Sequence, residues 1–148
     1  MMIRRSGFSM MELLVVILVG SVVLAMGTRQ FSAISNQRAV SNASNALVQT
    51  ASRARSEAMR SGRLVYMRVR PDLGRVRVDN SLEDLHTLDM SDYGVTMNGT
   101  GFTVCYAARG YALPGCTTFS SVLDLGFARG GATAGVKVMP LGQVRRSQ

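Results

Sequence analysis

Few side chains in this 148-residue sequence have the types and spacing that chemistry needs. His86 is the only histidine and sits in an acidic stretch, residues 81–92, where a lone imidazole is a solvated surface group. The acids of that stretch lack the spacing and the central glycine of an EF-hand loop, so they read as a solvated face and not as a calcium site. Gly99-Thr100-Gly101 opens a G-x-G pattern but leads into a strand-like run, which excludes a dinucleotide site. No serine or cysteine has a visible base partner, and no Cys/His cluster has metal-ligand spacing. The sequence therefore points away from an enzyme and calls for no cofactor. Cys105 and Cys116 are the only cysteines. In an oxidising compartment they would pair, closing a loop of about 12 residues worth about 3 kcal/mol by chain entropy. In a reducing compartment they stay two buried thiols.

Glu12 is a different case. It is the only charged residue between Arg5 and Arg29, in the run Phe8-Ser9-Met10-Met11-Glu12-Leu13-Leu14-Val15-Val16-Ile17. An ionised carboxylate in a lipid-facing helix costs about 2.5–3.5 kcal/mol on insertion scales, so such a residue needs a partner.

The elements that would position these groups follow from patterning. Residues 8–26 are mostly apolar, a length suited to crossing a bilayer. Arg4 and Arg5 precede them, which places the N-terminus in the cytoplasm by the positive-inside rule and sends the rest of the chain outward. A cleaved secretory signal, with Val23-Leu24-Ala25 as its cut site, is the alternative. The internal acid and the helical continuation argue against it. From Gln30 to Met59 there is no proline or glycine. Val40, Ala43, Leu47, Ala51, Ala54 and Ala58 recur at three- and four-residue intervals, one apolar face of a helix. The spacing predicts one long helix from about Phe8 to Ser61, stopped by Gly62.

Beyond it the pattern changes to alternation. Leu64–Val69 and Arg75–Val78, joined by Arg70-Pro71-Asp72-Leu73-Gly74, predict a β-hairpin. Residues 81–92 read as an exposed connection, and 95–97, 102–106, 122–125 and 136–139 as further strands. The expected fold class is α+β: a long N-terminal helix, with a membrane half and an amphipathic half, packed against a small antiparallel β-sheet domain.

The formal charge is +8, and Lys137 is the only lysine among 17 basic residues. This permits attraction to nucleic acid or anionic lipid without identifying either.

The N-terminal residues carry a resemblance. Ser6-Gly7-Phe8-Ser9-Met10-Met11-Glu12 resembles the signal of type IV pilins and pseudopilins: a basic leader ending in glycine, a phenylalanine, and a glutamate five residues into the mature chain. The resemblance implies cleavage after Gly7 by a prepilin peptidase, N-methylation of Phe8, and a mature charge of +6 instead of +8. It gives Glu12 a role in assembly registry, pairing with the amine of Phe8, its own or a neighbour's. Ala54-Arg55-Ser56-Glu57-Ala58, Ala108-Arg109-Gly110 and Gly142-Gln143-Val144-Arg145 are similar to stretches of the GspH/FimT group of minor pilins.

The implied layout is a leader (1–7), a transmembrane and filament-core helix (8–28), its amphipathic continuation (29–61) and a β-rich head (62–148). The implied location is the bacterial inner membrane, single-pass with a periplasmic head, and then the pilus or pseudopilus. The implied partners are other pilins, the prepilin peptidase and, before assembly, the inner membrane. The function implied is a minor pilin that primes or caps a type IV pilus. A type II secretion pseudopilin is one alternative. A DNA-binding minor pilin is another, with Lys137, Arg145 and Arg146, joined by Arg129, as a basic patch for phosphates. Gln143 stands where that group's first arginine would fall. A retained monotopic anchor with no filament role is the remaining alternative.

Overall fold

The structure is a computed structural model that describes residues 9–147, with no side-chain description for residues 25–29. Gly7, Phe8 and the rest of the expected leader lie outside the described residues. The chain divides into two compact units between Ser35 and Asn36.

One helix, α1 (Met10–Ser61), contributes to both units. Ser9 opens it: its carbonyl accepts the backbone N–H groups of Glu12 (3.0 Å) and Leu13 (3.2 Å). Gly62 closes it in the left-handed conformation, φ 66°, donating to the Ala58 carbonyl at 3.1 Å. A side chain at that φ would be strained, which is why glycine stands there.

In the second unit the expected apolar face is the buried one. Val40, Ala43, Leu47, Ala51, Ala54 and Ala58 are all at most 4% exposed. Four of these six are alanines, so the helix lies close on the sheets beneath it. Ser44 is buried on the same side, with its hydroxyl donating to the Ser41 carbonyl at 2.9 Å, so no polar group is left unpaired there.

Among the described residues eight strands form two four-stranded antiparallel sheets. They are β1 (Val65–Arg70), β2 (Arg75–Asn80), β3 (Asp84–Asp89), β4 (Thr96–Asn98), β5 (Phe102–Tyr106), β6 (Leu123–Arg129), β7 (Ala132–Val138) and β8 (Val144–Ser147). The first sheet runs β3-β2-β1-β5 and the second β4-β6-β7-β8. The inward residues of both join the alanine-rich face of α1 in one core that includes Met67, Val76, Val104, Tyr106, Leu125, Phe127 and Val136.

The β1–β2 hairpin forms with Arg70 opposite Arg75 and a 3-10 turn over Pro71–Leu73. The expected exposed connection at 81–92 is in fact β3 followed by a second 3-10 turn, Met90–Tyr93. Its acids face outward from an edge strand and meet arginines of β2: Asp89 with Arg75 at 3.0 Å, and Asp84 with Arg77. Leu88 points into the core.

The expectation of a membrane-spanning half of the helix is corrected. Among the described residues no helix is long and apolar enough to cross a membrane. The run that begins at Met10 carries the Glu12 carboxylate, which is costly to place in hydrocarbon. The single-pass inner-membrane location falls with that span.

Candidate assembly surface

The first residues of α1 combine a cap, a carboxylate and an unburied apolar run. The Ser9 hydroxyl accepts from the Glu12 backbone N–H at 3.3 Å, so Ser9 is the N-cap and Glu12 the third helical residue. This is the serine-x-x-glutamate spacing of a capping box, and it puts an acid at the positive end of the helix dipole. The sequence reading missed Ser9, although the spacing was there to be read.

From Leu13 onward the apolar side chains have no cover. Leu14, Val16, Ile17, Leu18, Val23 and Leu24 are all more than half exposed. Valine, leucine and isoleucine occupy every side of this stretch, so no single stripe could be hidden by one neighbour. A helix that is apolar all round is one that something else covers in its working state. Ser21 does not oppose this, because its hydroxyl donates back to the Leu18 carbonyl at 2.7 Å. At Gly20 nothing lies within 4 Å, which leaves a notch where another helix can approach closely.

In the second unit the two cysteines are joined, with Cα atoms 5.9 Å apart. Their loop lies along the outer edge of β5. Leu113 donates to the Cys105 carbonyl at 2.9 Å and Thr118 to the Thr103 carbonyl at 3.1 Å. The Thr118 hydroxyl accepts from the Thr103 N–H at 2.9 Å, and Ala112 bridges to Tyr106. Backbone groups that would otherwise face solvent are thus paired.

The loop is seated on α1. Gly110 has φ +78°, and a Cβ there would stand 2.7 Å from Met59 Sδ and 3.1 Å from Arg55 Nε. Two distant stretches, Ala54–Ala58 and Ala108–Gly110, therefore meet in space. The Tyr106 hydroxyl, buried beside them, donates to the Gly142 carbonyl at 2.9 Å. Burial pushes its ionisation up to about 12, with the Arg55 charge opposing.

The basic residues singled out in the sequence are only partly brought together. Lys137 and Arg145 face each other across β7 and β8. Arg146, one residue on, donates from Nη1 to Asn45 Oδ1 of α1 at 3.3 Å. Arg129 lies at the other end of the second sheet, where its Nη1 donates to the Tyr93 carbonyl at 2.6 Å. His86 lies on edge strand β3, half-buried. Among the described residues no group of three His, Cys, Asp or Glu side chains could hold a metal ion.

Comparison with known proteins bears on the N-terminus and the fold. Residues 2–28 match the prokaryotic N-terminal methylation motif. The structure is similar to two crystal forms of the type IV minor pilin FimU of Pseudomonas aeruginosa, each at TM-score 0.54 and 15% identity. The matches cover 73% and 74% of this chain and 92% and 88% of those chains. The fold is type-IV-pilin-like. No curated protein matches the chain.

Proposed function

We propose that the chain is a minor pilin: a non-catalytic structural subunit of a type IV pilus that primes or caps the filament, of the GspH/FimT kind. The observation that carries this reading is the apolar, uncovered start of α1, headed by Ser9 and Glu12 inside the matched methylation motif. A helix start of that composition is stable only among others like it, and a filament core supplies them. A prepilin peptidase cuts after Gly7 and the new amine of Phe8 is methylated. Glu12 then pairs with such an amine as helices bundle. In a low-dielectric bundle an unpaired carboxylate is costly, so only the register that supplies a cation is populated. The partners are other pilins, met through residues 13–24.

The test is piliation of a deletion strain, counted as sheared filaments against a complemented control. Loss of pili, restored by the wild-type gene but not by Glu12→Ala or by Gly7→Ala, is the expected result. Normal piliation with lost protein export would give the chain to a type II secretion pseudopilus instead. Full function of an unprocessed Gly7→Ala chain would overturn both.

A further inference from the structure

A concavity of about 410 Å³ lies within the second unit, where α1 passes the segment leading into β8. Val48, Ala51, Ser52 and Arg55 line one side, and Gly142, Gln143, Val144 and Arg145 the other. No carboxylate lines it. Arg60, Arg68, Arg75 and Arg77 each pair with an acid elsewhere in the second unit, whereas Arg55 and Arg145 have no carboxylate partner among the described residues. Lys137, opposite Arg145 on the neighbouring strand, does not line it. The site is also built. Gly142 has φ +80°, and a Cβ there would stand 2.7 Å from the Tyr106 ring, so the wall is fixed by the buried tyrosine that holds the Gly142 carbonyl. Gly110 packs on Arg55 from the side of the disulfide loop.

We propose that this concavity receives an acidic side chain, glutamate in kind, from a neighbouring subunit of the filament. Its lining is divided in the way such a side chain is divided. Val48, Ala51 and Val144 accept methylenes, while two guanidiniums, the Ser52 hydroxyl and the Gln143 amide suit a carboxylate. The contact fixes how heads sit on one another, because an acid elsewhere on the partner would leave the arginines unpaired. The proposal rests on the filament reading but fails separately from it, since incorporation and docking have different readouts.

The experiment places a photo-crosslinking amino acid at Gln143 of the full chain, in cells that assemble filaments, and maps the products by mass spectrometry. The expected product joins Gln143 to a segment of a filament subunit bearing Glu or Asp. Arg55→Glu with Arg145→Glu reduces it roughly tenfold or more, and reversing the partner's acid to lysine restores it. The double variant's melting temperature, measured on the purified chain, confirms that it folds. A milder pair, Arg55→Gln with Arg145→Gln, serves if it does not. A crosslink to nucleic acid, a crosslink indifferent to either double variant, or incorporation into filaments without any subunit crosslink would each overturn the proposal.

Discussion

At the scale of single residues the head is governed by a few close approaches. Gly110 shows how little freedom remains: a methyl group there meets Met59 and Arg55, and the backbone sits at positive φ. Gly110→Ala should lower stability by about 1–3 kcal/mol, read as a shifted denaturant midpoint with unchanged slope. Tyr106 gives a second handle. Its hydroxyl ionises near 12 in the folded chain against 10 in an unfolded one. A raised value means that its share of the stability is intact below pH 10 and lost as pH climbs towards 12. Tyr106→Phe should flatten that alkaline decline, at the cost of one buried hydrogen bond, and equilibrium unfolding at pH 9 and 11.5 measures both. None of this could be read from the sequence. Glycines are common in turns, and nothing local says that the turn at 108–110 rests on a helix some fifty residues earlier. The Ser9 cap was legible, since serine and glutamate three apart just before an apolar run is a local signal.

At the scale of elements, local periodicity did most of the work where it was strong. The spacing of Val40, Ala43, Leu47, Ala51, Ala54 and Ala58 named the buried face of α1, because one helical face needs only its own residues to be recognised. Leu47 is the largest of these and is fully buried. Leu47→Ala should cost about 2–5 kcal/mol, measured by chemical unfolding. The alternation either side of Pro71 likewise revealed the first hairpin. β3 was missed because its polarity is that of a loop when read alone. It becomes a strand only once Arg75 and Arg77 of β2 stand beside it, and that pairing is a tertiary fact. The same pairing has a pH signature. Bonds from the Ser91 hydroxyl and N–H, and from Arg75, hold the Asp89 carboxyl at about 2. A lowered value means stability present above the ordinary carboxylate range and lost as pH falls from about 4 towards 2. Asp89→Asn should reduce that part of the acid slope, followed by circular dichroism across pH 2–6.

At the scale of the whole molecule, the sequence announced a pilin-like chain through its first residues, and the fold agrees. Glu12 was legible as a problem in need of a partner. The membrane crossing was not sustained: among the described residues no helix is long and apolar enough for one. The distribution of basic charge was also illegible: Lys137 and Arg145 are neighbours, whereas Arg129 and Arg146 are held elsewhere by Tyr93 and Asn45. Sequence proximity brought Arg145 and Arg146 to attention together, and the alternation of a strand separates them.

The loop between Cys105 and Cys116 also sets a race. Joining its ends passes two electrons and two protons from the thiols to an external oxidant such as a disulfide, at a rate set by that oxidant and not by how many copies of the chain are nearby. Capture of the bare β5 edge by another chain is bimolecular and accelerates with crowding. A cell making this protein quickly therefore needs oxidation to be fast in proportion to expression. In Cys105→Ser/Cys116→Ser chains refolded at rising concentration, the monomer yield should fall much more steeply than for the bridged chain. At high dilution the two should converge. The bond then acts less as a brace for the finished head than as a clock for making it, deciding whether each new chain closes its own edge before another finds it.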